Sequence, residues 1–151
     1  MRRQNTRFSV FKLSDILCAW EILYIAEVIS LPKLTKVPGA SKKVLGVFSS
    51  RGKIVPLIDI RPILNITYSA PCSTDMAMLI RDNKFTTGIL ISEVVTIIDI
   101  ANQIDDTQGN NTIPHQEEFV RGKYTDAQLG DIYILNRDKL MHVIKRPLRE
   151  I

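Results

Sequence analysis

The chain has 151 residues, 45% of them apolar, so it can bury a core and is too hydrophobic for a disordered segment. Twenty basic against 16 acidic residues leave a net charge of +4. Most of the excess lies at the two ends, in Arg2, Arg3, Arg7, Lys145, Arg146 and Arg149, which reads as a mixed solvated surface rather than a nucleic-acid stripe. The two cysteines, Cys18 and Cys72, lack CxxC spacing, which argues against a disulfide framework or a metal site and fits a reducing cytoplasm.

The basic start MRRQNTRFSV is not followed by an apolar stretch, so no signal peptide is expected. Residues 7–13 alternate, Phe8 and Val10 against Phe11 and Leu13, and read as a strand closed by a Ser14-Asp15 turn. The apolar run over residues 16–31 is broken by Glu21 and Glu27 and is shorter than the roughly 20 residues a bilayer needs. Within it, residues 22–29 are ambiguous between helix and strand. Their β-branched content and the following Pro32 favour an extended segment. Pro32, Pro38 and Gly39 mark a connection over residues 31–43.

Two strands are expected at 44–48 and 53–60, around a turn bracketed by Gly46 and Gly52 with Arg51 just before the second glycine. Pro56 places the second of them at an edge or a bulge, because proline cannot donate a ladder hydrogen bond. Pro62 opens a short helical turn ending near Asn65, and residues 67–75 form a loop. Residues 76–81 and 86–91 flank Asp82-Asn83-Lys84 as a hairpin, and 94–100 continue as a strand. Residues 101–118 are polar and read as a long exposed loop. Strands follow at 119–125 and 131–135, then a short helix over 136–143 with Asn136 as N-cap and Leu140 and Val143 turned inward.

A faint echo links Val44-Leu45-Gly46 and Leu57-Ile58-Asp59 with Val120-Arg121-Gly122 and Ile134-Leu135-Asn136, which suggests two similarly built halves. Many short strands separated by turns point to small barrels rather than a parallel sheet. No nucleophile with a base, no paired catalytic carboxylates and no phosphate loop is evident. His115 and His142 lack companions at ligand spacing, and Asp59 with Arg61 reads as a polar cap at a strand end. No enzyme, metal or cofactor is expected.

From Phe8 to Met141 the chain resembles the CheW-like domain family. The resemblance is carried by Pro38, Gly46, Arg51-Gly52, Pro56, Asp59 and Arg61 in that order, and less sharply by Gly88, residues 92–98 and Gly122. Ser49 and Ser50 stand where the family usually has asparagine and leucine, a second proline near Ser41 is missing, and Lys43 replaces an apolar residue. The family's apolar strand ending in glutamate is placed at residues 22–27. The resemblance implies a mainly β fold: two intertwined five-stranded β-barrel subdomains around a shared apolar core, forming one domain over residues 1–151. It also implies a cytoplasmic, non-enzymatic adaptor. Its partners would be the cytoplasmic tip of a methyl-accepting chemoreceptor and the regulatory domain of the chemotaxis histidine kinase, in chemotaxis or type IV pilus motility.

The residues expected at the partner surface are Glu27 and Arg51, as an opposite-charge pair, with Val28, Ile29 and Leu31 divided between core and exposed anchor. Gly46, Gly52 and Gly122 are read as backbone devices. The competing reading is a small basic β-barrel that binds single-stranded nucleic acid, for which aromatics are few and not interleaved with cations.

Overall fold

The computed structural model describes residues 6–100 and 118–148. Ten strands, a short 3-10 turn and one helix follow in order: β1 (Thr6–Leu13), β2 (Ile16–Glu21), the turn at Ile22–Tyr24, β3 (Ile25–Ser30), β4 (Val44–Ser50), β5 (Lys53–Ile58), β6 (Met76–Asp82), β7 (Phe85–Ile91), β8 (Glu93–Ile100), β9 (Val120–Asp126), β10 (Gly130–Leu135) and α1 (Arg137–Leu148). They form two five-stranded sheets, β8-β1-β2-β10-β9 and β3-β6-β7-β5-β4. The second sheet is drawn from one continuous stretch of chain set between β2 and β8 of the first. This is the intertwined, mainly β architecture that the sequence implied.

The two sheets share one plan. Each has a central hairpin (β1–β2, β6–β7), a strand added in parallel to its second member (β10 on β2, β5 on β7), that strand's antiparallel partner at one edge (β9, β4), and another strand at the opposite edge (β8, β3). The match extends to register. Gly46 and Val44 face Leu57 and Ile58 across a ladder in which Leu45 is extra. Gly122 and Val120 face Ile134 and Leu135 with Arg121 extra. Leu57 then pairs Gly88, as Ile134 pairs Ala19. The short echo in the sequence is therefore the trace of a shared β-bulge, the device that bends a strand and raises its local twist.

That curvature lets each sheet wrap its own apolar cluster. Phe8, Val10, Ala19, Ile100, Ile132 and Ile134 fill the first. Phe48, Val55, Leu57, Ala77, Leu79 and Leu90 fill the second. Among the described residues no ladder joins β8 to β9 or β3 to β4. In the second sheet the chain leaving β3 crosses to the far edge instead, where Thr35 and Val47 exchange both backbone hydrogen bonds at 2.9 and 2.8 Å. A third and larger cluster lies between the sheets, with Phe11, Leu13, Trp20, Ile58, Ile60, Met78, Ile80 and Ile89 at its centre. Strand alternation explains the division, because neighbouring residues on one strand enter different clusters.

Several expectations shift. The apolar run at 16–31 holds a strand, a turn and a second strand, so the segment expected at 22–27 begins three residues later and Glu27 sits inside β3 rather than at its end. Strand β5 is interior, not an edge. Its β7 ladder is confined to Leu57 and Ile58, however, so Pro56 lies on a stretch with only β4 beside it. The helix runs on to Leu148, and it buries Leu140, Met141 and Ile144 while Val143 is only half-buried. Asn136 caps it as expected, its Oδ1 accepting the Lys139 N–H at 3.2 Å. Arg137 and Lys145, two turns apart on α1, both pair with Asp82 of β6, and Arg137 lies 3.6 Å over the Tyr24 ring. The helix thus leaves the first sheet and is tied to the second. The loop expected at 101–118 falls outside the described residues except for Glu118, and so do His115, Arg2, Arg3 and Arg149.

Candidate functional site

The β4–β5 hairpin turns on two residues, Arg51 at φ 51° and Gly52 at φ 76°. Positive φ at both positions is the type I′ signature, whose twist matches the flanking strands. Glycine adopts it freely. Arginine there costs roughly 1 kcal/mol, and such local strain concentrates at functional sites. The backbone holds the Arg51 side chain at the hairpin tip, 84% exposed, with Nη2 donating to Glu27 Oε2 at 3.4 Å. The structure therefore brings together the two residues that the sequence paired. At this length and exposure the pair adds about 0–1 kcal/mol to stability.

Glu27 lies opposite Leu79 in the β3–β6 ladder, beside a bulge at Ala26. Of the apolar residues after it, Val28 packs on the cluster between the sheets, while Ile29 and Leu31 pack on the cluster inside the second sheet. All three are half-buried, so they serve as supporting wall more than as free anchors. Gly46 is a point of close approach: a Cβ there would stand 2.9 Å from the Thr35 carbonyl oxygen, so a side chain would push against the bridge that carries the chain across the sheet. Gly122 is buried opposite Ile134, beside the matching bulge in the first sheet.

Around Glu27 and Arg51 opens a cleft of about 250 Å³, lined also by Ala26, Ser50, Lys53, Val55, Leu79, Arg81 and Thr86. It is the mouth of the second sheet's interior. Lys53 extends the inward row Leu57-Val55, Arg81 extends Ala77-Leu79, and Thr86 extends Leu90-Gly88. Sequence reasoning missed Lys53, Arg81 and Thr86. The signal was present as a period-two row ending in a polar residue, but only the register puts three such rows side by side.

Asp59 and Arg61 form the polar cap expected after β5, and they do so as a buried ion pair. Arg61 Nε and Nη2 donate to the two Asp59 oxygens at 2.9 and 2.8 Å, the Arg61 N–H donates to Asp59 Oδ1 at 3.0 Å, and Nη2 also donates to the Ser69 carbonyl at 3.0 Å. Hydrogen bonding to Asp59 raises the Arg61 pKa above its ordinary value. The pair pins the loop between β5 and β6. The pair is almost wholly buried, and the carboxylate of Asp75 and the exposed Cys72 thiol lie within electrostatic reach of Arg61. Burial pushes the free Cys18 thiol up in pKa and keeps it unreactive, while Cys72 is free and exposed. Among the described residues no group of three or more His, Cys, Asp or Glu could hold a metal, and no helix is long and apolar enough to cross a membrane.

The CheW-like domain profile matches residues 7–145, which takes in all the described strands but the first residue of β1. The chain belongs to the CheW-like domain family. Relatives include a chemotaxis protein CheW of Thermotoga maritima, 26% identical over 135 residues that cover 89% of this chain and 86% of the relative. A probable chemotaxis protein CheW of Rhizobium etli is 21% identical over 112 residues, covering 74% and 72%. The crystal structure of the scaffolding protein TtCheW from Thermoanaerobacter tengcongensis superposes with a TM-score of 0.76 at 24% identity, covering 89% of this chain and 86% of the other. At that identity the superposition speaks for the CheW-like fold.

Proposed function

We propose that this CheW-like chain is a non-enzymatic adaptor that couples methyl-accepting chemoreceptors to the chemotaxis histidine kinase. The observation that carries the reading is the family match across residues 7–145, which takes in both sheets and the cluster that joins them. An adaptor of this kind acts geometrically. It offers separate surfaces to two partners and holds them at a fixed spacing, so a shift in one biases the packing of the other. In this chain the surface offered to the kinase regulatory domain is the mouth of the second sheet, with Glu27 and Arg51 at its rim and Val28, Ile29 and Leu31 bracing the strand beneath. Modest affinity at each surface is enough where an array supplies many simultaneous contacts.

The nucleic-acid reading draws no support from the surface. Tyr68 is the one aromatic among the strongly exposed large apolar side chains of the described residues, its ring centroid 5.4 Å from the Arg61 guanidinium, so no row of aromatic platforms is present among them. The deciding experiment is co-purification of the full chain with the kinase regulatory domain and, separately, with the receptor's cytoplasmic tip, both at low salt. Binding of both is expected, and capture of neither overturns the reading.

A further inference from the structure

The cleft at the mouth of the second sheet carries three cations, Arg51, Lys53 and Arg81, against one carboxylate, Glu27. Arg51 is held loosely by Glu27. Among the described residues neither Lys53 nor Arg81 has an ion-pair partner. All three cations are exposed, and the floor beneath them is apolar, with Val55 and Leu79 each 2% exposed. A net positive concavity of this kind focuses field on an incoming anion and offers it charge-assisted hydrogen bonds.

The first sheet supplies an internal control. Its register assigns counterparts to five positions at the mouth: Thr96 for Glu27, Asp126 for Ser50, Gly130 for Lys53, Lys12 for Arg81 and Leu17 for Thr86. There the one cation, Lys12, is neutralised by Glu93 at 3.3 Å. The shared plan folds there with its one cation paired, so the unpaired cations of the second sheet are not required by the architecture.

We infer that this cleft receives a carboxylate side chain from an acidic loop of a protein partner, its charged end held by Lys53, Arg81 and Arg51 and its methylene stem lying on Val55 and Leu79. The cleft of about 250 Å³ has room for a carboxylate side chain. The cations are confined to a single mouth, and Glu27 beside them repels an extended polyanion, which favours a protein carboxylate over a phosphodiester strand. The identity of the partner rests on the adaptor reading; the chemistry of the cleft does not.

Two measurements keep these apart. In the first, a capped hexapeptide with a single glutamate among glycines and a single-stranded hexanucleotide are each titrated into the isotope-labelled full chain and followed by NMR. The peptide is expected to move the resonances of Arg51, Lys53, Arg81 and Thr86 and to lose its effect as salt screens the charges. Lys53→Glu and Arg81→Glu should each weaken it about tenfold, and Lys12→Gln should leave it unchanged. Peptide shifts scattered over the surface, equal shifts from the oligonucleotide, or charge reversals no worse than Lys12→Gln would overturn the inference. In the second, the same variants are titrated with the kinase regulatory domain. A similar loss, restored by an acidic-to-lysine change on the partner, places the carboxylate there. If the unmodified chain binds neither kinase domain nor receptor tip, the adaptor reading falls while the peptide titration still decides the cleft.

Discussion

The two sheets solve the same folding problem with different residues, and the difference separates scaffold from site. At the end of the strand added in parallel, the first sheet places Asn136, which caps α1, and the second places Asp59, which forms a buried ion pair with Arg61. At the outer hairpin the first sheet uses three residues, with Asp126 Oδ1 accepting the N–H groups of Gln128 and Leu129 at 2.8 and 2.9 Å. The second uses two, with Arg51 in a left-handed conformation. Where the two agree, in the Val-x-Gly bulge and the small residue opposite it, the position serves curvature. Where they part, the residue serves something local.

The largest expected effect tests the strand-end pair. Asp59→Ala strands a buried guanidinium and should cost about 3–5 kcal/mol, whereas Asn136→Ala, at the matching place, removes only a cap worth about 1 kcal/mol. Urea denaturation of both variants reads the difference, and equal losses would mean that the ion pair is not the keystone of its loop. Next comes the small residue facing the bulge. A Cβ at Gly88 would stand 3.1 Å from Leu57 Cδ1 and 3.3 Å from Phe48 Cε1, so Gly88→Ala should destabilise by about 1–3 kcal/mol through overpacking. The mirror change Ala19→Gly should cost about 1 kcal/mol by loss of a buried methyl. A stabilising Gly88→Ala would show that the second sheet's interior is looser than its contacts imply.

Arg51→Gly relieves the strained turn and gives up only an exposed ion pair, so stability should hold within about 0.5 kcal/mol while binding to the kinase domain falls. A parallel loss of both in thermal melts and calorimetry would mark Arg51 as structural. The smallest effect is at the other hairpin. The N–H bonds from Leu129 and Gln128 lower the Asp126 pKa below the ordinary 3.8. A folded value below the unfolded one means that the contribution is complete above that range and is lost as pH falls through the folded value. An acid titration of the Gln128 and Leu129 amide shifts should report this step, and Asp126→Asn should abolish it. The Arg51 hairpin has no equivalent group.

Much of the scaffold was legible in the chain. Ser14-Asp15, Arg51-Gly52 and Asn83-Lys84 each mark a two-residue turn between alternating strands, and the repeated Val-x-Gly announced the common plan. The run from Ile16 to Leu31 was not legible, because continuous apolar residues carry no period and conceal a break between two strands that belong to different sheets. Val143 was chosen for the helix core where Met141 and Ile144 do the packing, since a helix ended five residues early leaves Ile144 outside it. At the site, Glu27 and Arg51 were found through the resemblance, and the register then joined them. Lys53 and Arg81 were not, because they lie 28 residues apart and nothing in either strand alone says that the two rows share a mouth.

The threading of the chain has a mechanical consequence. Because the second sheet is spliced whole into the first, β1 and α1, the two ends of the described fold, both leave from the first sheet's part of the molecule. Tension applied through those ends is borne by the β1-β2-β10 ladder and by the ties of Arg137 and Lys145 to Asp82, so it also reaches β6 of the inserted sheet. A load on the two ends is therefore felt at β6 directly beside Arg81, at the inserted sheet's mouth.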